Sequence, residues 1–238
     1  MSSFQGLIRR NIINANTQFE KLGYVTSNVA NYNTTGYKAV RFEQILDENG
    51  YLNGVLRKDY QVGSARRTDK SLDIALDGIG FIPVTSKTGD VTYTREGSFK
   101  VDANGYIVTN DECLVGDGIK LPANYDYLNI KPNGDVAVIK DASTGKEEVV
   151  GTIPIVNFQN PEGLKSSDNN KYLVTAESGE PILIKDHKKV KQGYLEYSNV
   201  NMYDQVNEVM RLNASMLASF KLMKAIDDMY NKSINLNQ

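Results

Sequence analysis

The chain of 238 residues contains only one cysteine, Cys113, and one histidine, His187. A single cysteine excludes a disulfide within the chain, and one cysteine with one histidine cannot provide the four ligands of a structural zinc site. A serine hydrolase would need His187 as its base, but His187 lies in the charged stretch Lys185–Lys189, which is typical of a surface histidine. We therefore expect no zinc site and no histidine-based catalysis, and Cys113 is expected to be a small core residue.

The sequence also lacks an excess of either charge and any long apolar run. Its 27 Lys and Arg residues nearly balance 29 Asp and Glu residues, whereas a protein built to bind nucleic acid needs a basic excess. No segment approaches the roughly 20 apolar residues of a membrane span, and Arg9 and Arg10 interrupt the only apolar stretch near the N-terminus. These features predict no nucleic-acid partner, no direct membrane insertion and no cleaved secretory signal.

Motifs that would hold a cofactor are lacking as well. The chain has no P-loop, and Gly78 and Gly80 supply only two glycines of a dinucleotide fingerprint before the sequence enters a strand-like run. The stretch Asp102–Gly105 lacks the ligand series of a calcium loop and is interpreted as a turn. We predict no catalytic residue, no cofactor and no metal. A pair of carboxylates assembled in space, as in a carbohydrate-active enzyme, remains an alternative.

The first segment, residues 1 to about 31, has the pattern of an amphipathic helix. It contains no proline, and Ser2 and Ser3 are candidate N-caps. The turn signal Asn31–Gly36 then ends the helix. Apolar residues recur near helical spacing at Phe4, Leu7, Ile8, Ile12, Ala15, Phe19, Leu22, Val25 and Val29.

The last segment, about 199 to 234, has neither proline nor glycine and carries a heptad pattern. Two rows of residues, offset by four, form the predicted seam, with Asn213 and Asp227 as polar interruptions. One interpretation is a single long helix on the body of its own chain. The favoured interpretation is a coiled seam with the N-terminal helix and with other subunits. The first row is Met202, Val209, Met216, Met223 and Tyr230, and the second is Val206, Asn213, Phe220, Asp227 and Ile234.

The middle of the chain is punctuated by glycines and by Asn-Gly pairs, which indicates short strands joined by tight turns. One hairpin is expected to close at Asn104-Gly105 and a second at Pro132–Gly134. The predicted fold class is α+β: N- and C-terminal helices forming a helical assembly domain flank a central all-β domain. The predicted boundaries are 1–40 for the N-terminal helix and turn, 41–64 for a connecting segment, 65–192 for the β domain and 193–238 for the C-terminal helix.

Four motifs in order resemble those of flagellar basal-body rod proteins of the FlgG/FlgF type. The first resembles the family's ANNLAN-then-TxGFK signature, with Ser27, Val29 and Tyr37 as departures. The others resemble its DVAIxGxGFF, YTRDGSF and QGxLExSNV segments. The matching stretches are Ser27–Lys38, Asp73–Phe81, Tyr93–Asp102 and Gln192–Asn201.

This resemblance implies a structural protein without catalysis. Family members stack helically into a hollow rod that transmits torque from motor to hook, with paired terminal helices inside and the β domain outside. It implies as partners other copies of the chain, other rod and hook proteins and the type III export apparatus, and a location in the flagellar basal body, outside the cytoplasmic membrane. The assembly residues expected from the helical pattern and the motifs are Phe4, Leu7, Leu22, Asn28, Val29, Asn31, Met202, Val206, Val209, Asn213, Met216, Phe220 and Met223.

Several alternatives stay open at this point. Asn28 and Asn31 could satisfy the helix end locally or contact a neighbour. The terminal segments are expected to be largely disordered in a free monomer and to fold on assembly. The short connection from Phe42 to Ala65 slightly favours an FlgF-like member over a distal-rod member. A β-domain adhesin or scaffold protein is the second functional hypothesis.

Overall fold

The structure is a computed structural model that describes residues 2–46, 52–141, 145–185 and 189–235. The described chain divides by its internal packing into two units. The first comprises the described residues within Met1–Asn31, Val40–Lys58 and Val200–Gln238, and the second those within Tyr32–Ala39 and Asp59–Asn199. The chain therefore passes between the units several times. The domain boundaries predicted at residues 40, 64 and 192 lie where the composition of the sequence changes. That they separate independently folding parts stays a prediction.

Both predicted terminal helices are present. Helix α1 spans Ser2–Ala30 and helix α2 spans Met202–Asn235. At the end of α1, Asn31 donates from its backbone N–H and from Nδ2 to the carbonyl of Ser27, at 3.1 and 2.9 Å. At the start of α2, the Asn201 side chain accepts a hydrogen bond from the backbone N–H of Tyr203 at 3.0 Å, which is an N-cap contact.

The predicted connecting segment contains a β-hairpin that belongs to the first unit. Strand β1 spans Val40–Leu46 and pairs antiparallel with β2, Leu52–Lys58. The Phe42 ring stacks on Tyr24 of α1 with their centroids 6.1 Å apart. Gly54 lies beneath this ring, where a Cβ atom would approach Phe42 Cζ to 2.2 Å, so that only glycine fits without a shift of the ring.

The second unit is built on a seven-stranded sheet in the order β14-β15-β6-β5-β9-β8-β7. Its pairs are antiparallel, as expected for strands joined by tight turns. The strands are β5 Ile82–Thr85, β6 Val91–Thr94, β7 Lys100–Val101, β8 Ile107–Val108, β9 Leu114–Val115, β14 Lys165–Ser167 and β15 Lys171–Leu173.

Smaller sheets complete this unit. Three strands pair in the order β10-β11-β12, and three two-stranded pairs are β13-β16, β17-β4 and β18-β3. A 3₁₀ turn spans Pro161–Gly163. The strands are β3 Ala65–Arg67, β4 Ile74–Leu76, β10 Tyr127–Ile130, β11 Asp135–Ile139, β12 Glu147–Thr152, β13 Val156–Asn157, β16 Ile182–Leu183, β17 Val190–Gln192 and β18 Tyr194–Glu196.

The two hairpins predicted from Asn-Gly turns are confirmed. Strands β7 and β8 flank Asn104-Gly105, and β10 and β11 flank Pro132–Gly134, with Gly105 and Gly134 at positive φ. The core of the unit has an aliphatic part, which includes the buried Cys113, and an aromatic part around Phe81. The predicted α+β class is therefore confirmed in its coarse form: two terminal helices flank a mainly β region of the chain.

Candidate assembly interface

The first unit pairs α1 with α2 in antiparallel orientation. Higher residue numbers in one helix meet lower numbers in the other, and three polar contacts define this direction. The contacts are Asn28 Nδ2 to Gln205 Oε1 at 3.2 Å, Lys21 Nζ to Glu208 Oε1 at 2.6 Å and Gln18 Nε2 to Ser215 Oγ at 2.7 Å.

One face of each helix is covered, and the covered residues follow heptad spacing on both helices. We call these faces the inner rows. On α1 the inner row has steps of three and four residues and is Ile8, Asn11, Ala15, Gln18, Leu22 and Val25. On α2 it is Gln205, Val209, Leu212, Met216, Ser219, Met223 and Ile226. This spacing is typical of helices that pack side by side through interlocking side chains.

A second row on each helix is apolar but exposed. On α1, Ile12 and Phe19 are 46% and 53% exposed. These outer rows lie about 100° around the helix from the inner rows, as the 3.6-residue period requires. On α2 the outer row is Tyr203, Val206, Met210, Asn213, Leu217 and Phe220, of which the five apolar members are 44–74% exposed.

The two rows predicted for α2 therefore differ in their exposure. Members of the first row are buried or half-buried, except Tyr230, which is 54% exposed. The second predicted row is exposed where it is described, because the helix packs on α1 one position earlier, through Gln205 and Ser219. Those two residues are polar, so apolar spacing alone gives no sign of them. The half-buried or buried members are Met202, Val209, Met216 and Met223, and the exposed ones are Val206, Asn213, Phe220 and Asp227.

The residues predicted on α1 differ in their surroundings. Leu22, Val29 and Asn31 are half-buried. Phe4 and Leu7 belong to α1, but their side chains lie outside the described residues. Whether any of the predicted residues contacts another subunit stays a prediction.

Asn28 is held within the first unit and is 2% exposed. Its Oδ1 accepts a hydrogen bond from the Val40 N–H at 2.9 Å, and its Nδ2 donates to the Val40 carbonyl at 2.8 Å. This two-point contact resembles the pairing of two strands and fixes the β1–β2 hairpin to the end of α1. Together with the bond from Asn31 to Ser27, it shows that both asparagines have a local role.

Glu208 is the charged centre of the α1–α2 contact. Lys21 and Arg211 lie 2.6 and 2.9 Å from its Oε1. Burial acts to raise the pKa of Glu208, but hydrogen bonds from these two cations outweigh it and hold the pKa below its usual 4.5. The carboxylate is therefore ionised near neutral pH. Its contact with Lys21 links α2 to α1, whereas Arg211 lies on the same helix as Glu208.

In the second unit, three of the four motifs converge on a buried network of charges. Lys38 Nζ lies 2.6 Å from Glu196 Oε1, and Arg95 Nε lies 2.8 Å from Glu196 Oε2. The three side chains are 0–1% exposed. Arg95 also donates to the carbonyls of Gly80 and Gly78, at 2.6 and 3.0 Å, which belong to the remaining motif.

The electrostatics of this network follow from its burial. Burial and the nearby Arg95 guanidinium lower the pKa of Lys38 from its usual 10.5, against the opposing attraction of Glu196. Glu196 Oε1 also accepts a hydrogen bond from the Gly63 N–H at 2.9 Å, in addition to the bond from Lys38 Nζ. Sequence reasoning missed this network. The available signal was that three of the motifs each carry a charged residue beside glycine and aromatic residues.

Asn199 holds the two ends of the second unit together. Its Oδ1 accepts from the Ala39 N–H at 2.7 Å, and its Nδ2 donates to the carbonyls of Asp59 and Gln61 at 2.7 and 3.1 Å. We call the region from β3 to β18, residues 65–196, the β body. The stretches before and after the β body are therefore hydrogen-bonded to each other.

The described ranges have the pattern neither of a membrane-spanning helix nor of a metal-binding cluster. Neither helix, as far as it is described, is long and apolar enough to cross a membrane. In the same residues, no group of three or more His, Cys, Asp or Glu side chains could hold a metal ion. His187, predicted at the surface, lies outside the described residues.

Comparison with known proteins points to flagellar rod proteins. The family described as the flagellar hook protein FlgE/F/G D1 domain matches residues 75–138. Flagellar basal-body rod protein FlgG of Buchnera aphidicola subsp. Acyrthosiphon pisum is 30% identical over 239 residues, covering 89% of this chain and 92% of that protein. FlgG of Bacillus subtilis is 28% identical, covering 92% and 94%.

A relative named FlgF matches as well, at lower identity. Flagellar basal-body rod protein FlgF of Mesorhizobium japonicum is 26% identical over 219 residues, covering 86% of each chain. These values do not favour the FlgF type over the FlgG type. Among solved structures, the hook protein FlgE2 of Helicobacter pylori is similar over 67% of this chain and 43% of that chain, with 18% identity and a TM-score of 0.27, which is too low to support an argument.

Proposed function

This chain belongs to the flagellar basal-body rod protein family, and on this premise we propose that it polymerises through its terminal helices to form part of the rod. Its role is structural rather than catalytic, as in the relatives of that name. The rod transmits torque from the motor to the hook. Its partners are further copies of this chain and other rod and hook proteins.

The observation that carries this proposal is the pair of outer rows. Five large apolar side chains on α2 and two on α1 remain exposed after the helices have packed on each other. Large apolar side chains that stay exposed along one face of a helix mark a contact with another molecule. A rod requires an open helical assembly, in which each subunit meets its neighbours through different faces.

The terminal helices also suit the mechanical task. At about 1.5 Å per residue, α1 and α2 are roughly 43 and 51 Å long, and many such helices packed laterally resist bending and twisting. The β-rich second unit then adds a second set of subunit contacts. The chain reaches the basal body, outside the cytoplasmic membrane, through the type III export apparatus.

The free monomer is expected to be less ordered than the assembled subunit. The inner rows include polar residues such as Asn11, Gln18 and Ser219, which weaken an isolated pair of helices. When neighbours cover the outer rows, more apolar area leaves water and offsets the ordering entropy. We therefore propose that the pairing of α1 with α2 is weaker in the free monomer than in the rod.

The test is incorporation into basal bodies of a strain that lacks its own copy of the gene. Phe220→Asp and Val206→Asp place a charge in the outer row of α2 without touching α1, and both are expected to abolish incorporation and motility. Asn207→Asp is the matched control, because it introduces the same charge at an exposed neighbouring position outside the row. Normal motility of the Phe220→Asp variant would contradict the proposal.

Circular dichroism separates loss of assembly from loss of fold. The isolated Phe220→Asp protein should keep the β signal and unfolding midpoint of the second unit, because residue 220 belongs to the first unit. If the β body unfolds in this variant, its failure to assemble would not test the outer row. Incorporation of the Val206→Asp variant would then test the row instead.

A further inference from the structure

We infer that a pocket in the second unit binds the carboxylate of an aspartate or glutamate side chain from a neighbouring rod subunit, and that Arg66 pairs with it. The inference rests on the proposed function, because it gives the subunit contacts of the second unit a specific site and a partner of stated chemistry. The pocket has a volume of about 370 Å³, and its lining includes Asn33, Arg66, Thr68, Leu195 and Tyr197, which all belong to the second unit.

One wall of the pocket is a face of the β3–β18 pair. Arg66 lies directly opposite Leu195 in this pair. Because side chains alternate between the two faces of a strand, the residues two positions further along, Thr68 and Tyr197, lie on the same face. All four line the pocket. The wall therefore combines an apolar surface with a cation and a hydroxyl group.

The Arg66 guanidinium is held in place by Tyr197. Arg66 Nη1 donates to the Tyr197 hydroxyl at 2.7 Å, and Arg66 Cζ lies 5.7 Å from the centroid of the Tyr197 ring. A guanidinium carries more N–H donors than this one bond uses, so donors remain for a ligand. A side chain that is already positioned also loses less entropy when it binds.

The neighbouring Arg67 shows by contrast what Arg66 lacks in its own chain. Arg67 faces the other side of β3, and its Nε lies 2.5 Å from Asp69 Oδ1. Arg66 is exposed, and within the described part of the chain no carboxylate forms an ion pair with it. A guanidinium matches a carboxylate through two parallel N–H···O bonds. The pocket therefore offers a positioned cation whose natural counter-ion must come from another molecule.

The buried network beside the pocket also favours an anion. Glu196 borders the pocket, but its side chain is 1% exposed and contacts Lys38 and Arg95. Two cations and one anion give the network a net positive charge. Because buried charges are screened less than exposed ones, this charge adds to the attraction that Arg66 exerts on an anion in the pocket.

The remaining lining distinguishes an acidic side chain from an inorganic anion. The exposed Asn33 amide and the Thr68 hydroxyl are donors that suit the oxygens of either ligand. Leu195 and the Tyr197 ring, both half-buried, provide apolar surface for the methylene groups that precede a carboxylate. An inorganic anion has no such groups, so the pocket fits an aspartate or glutamate side chain better.

The test uses carbodiimide coupling in basal bodies that contain an Arg66→Lys chain. The substitution keeps the positive charge and places a primary amine in the pocket, and carbodiimide joins an amine to a contacting carboxylate as an amide. Mass spectrometry is expected to find the peptide that contains position 66 linked to an acidic peptide. The link should be absent when the isolated, monomeric Arg66→Lys protein is treated, and the sequence of the linked peptide identifies the carboxylate.

Arg67→Lys is the matched control, because the same substitution lies one position away on the opposite face of β3. Its amine is expected to couple to Asp69 of its own chain, in basal bodies and in the isolated protein alike. Basal bodies that contain the Arg66→Lys chain without a link from position 66 to a second chain would overturn the inference.

If the Arg66→Lys chain is not incorporated, removal of the charge decides. Arg66→Gln is expected to lower incorporation at least about fivefold relative to Arg67→Gln, because only Arg66 pairs with a second molecule. Both isolated variants should keep the unfolding midpoint of the unsubstituted protein, since both side chains are exposed. Equal incorporation of the two variants would overturn the inference.

A free anion is the other source of the same chemistry. Inorganic phosphate, added to the isolated protein at constant ionic strength, would raise the unfolding midpoint if it filled the pocket, and Arg66→Gln would remove this effect. Such a result without a link in basal bodies would assign the pocket to a free anion and overturn the inference. A link in basal bodies without a phosphate effect supports it.

Failure of this inference is distinguishable from failure of the proposed function. Basal bodies that contain the unsubstituted chain and give no link from position 66 would exclude the carboxylate contact and leave the rod function intact. Absence of the unsubstituted chain from basal bodies would instead contradict the proposed function.

Discussion

Lys38 and Glu196 form an ion pair with 2.6 Å between Nζ and Oε1, although 158 positions separate them in the sequence. The contact joins the turn that follows α1 to the last strand of the β body, within the second unit. Arg95 completes the group, which holds two cations and one anion away from water. A carboxylate between two buried cations offsets the repulsion between them.

Removing the carboxylate should be the most damaging change in this network. Glu196→Ala leaves Lys38 and Arg95 buried without their anion and is expected to lower the free energy of unfolding by about 3–5 kcal/mol. Lys38→Met should cost less, about 1–3 kcal/mol, because Glu196 and Arg95 then balance and only hydrogen bonds are lost. Urea unfolding followed by tyrosine fluorescence measures both, since the chain has 14 tyrosines and no tryptophan.

A surface pair of the same unit provides the control. Lys87 and Glu112 also form an ion pair, but their side chains are 76% and 56% exposed. Glu112→Ala is expected to change the free energy of unfolding by at most about 0.5 kcal/mol. If Glu196→Ala were no more destabilising than Glu112→Ala, the buried network would not stabilise the β body.

Stability at acid pH should depend on Asp111. Burial acts to raise the pKa of Asp111, but hydrogen bonds from Lys171 and Thr109 outweigh it and hold the pKa well below its usual 3.8. A carboxyl group with a lowered pKa in the folded state stabilises the protein above its unfolded pKa, and this contribution is lost as the pH falls through the folded pKa. Asp111→Asn should therefore flatten the fall in unfolding free energy below about pH 4.

The comparison is made by urea unfolding at pH 7 and at several points below pH 4. Asp117→Asn, in the exposed turn that follows β9, should keep the slope of the unsubstituted protein. An equal slope in Asp111→Asn and the unsubstituted protein would show that the contact with Lys171 does not contribute to acid stability.

The β body should need the chain segments on both of its sides in order to fold. A fragment of residues 32–199 retains Lys38, Glu196 and Asn199, and it is expected to unfold cooperatively with a native β signal in circular dichroism. A fragment of residues 40–195 lacks all three and loses both the buried network and the bonds to Ala39, Asp59 and Gln61. It should be unfolded or lack cooperativity, and a stable 40–195 fragment would contradict this role.

The sequence allows prediction of those features that depend on residues close in the chain. The helices follow from the absence of proline and the spacing of apolar residues, and the hairpins at Asn104-Gly105 and Pro132–Gly134 follow from turn chemistry. These patterns are local, so they can be recognised without the fold.

Features that depend on distant partners cannot be predicted in the same way. Lys38 and Glu196 each lie beside glycine and aromatic residues, but nothing near them in sequence shows that they are buried together. Apolar spacing predicts Val206 and Phe220 in the covered row of α2, whereas the structure has Gln205 and Ser219 there, one position earlier. Gln205 accepts a hydrogen bond from Asn28 of α1, a partner that the α2 sequence does not reveal. The β1–β2 hairpin escapes prediction because it is fixed by packing against α1.

Met216 and Leu217 are adjacent on α2 but have opposite surroundings, and they separate the two faces of the helix. Met216 is 7% exposed in the inner row, whereas Leu217 is 61% exposed in the outer row. Met216→Ala should destabilise the pairing of α1 with α2 by about 2–5 kcal/mol, seen as earlier loss of the helical signal during urea unfolding. Leu217→Ala should leave this transition within about 0.5 kcal/mol of the unsubstituted protein, yet reduce incorporation into basal bodies. Equal effects of the two substitutions on the helical transition would show that the helix does not present one face to α1 and another to a neighbouring subunit.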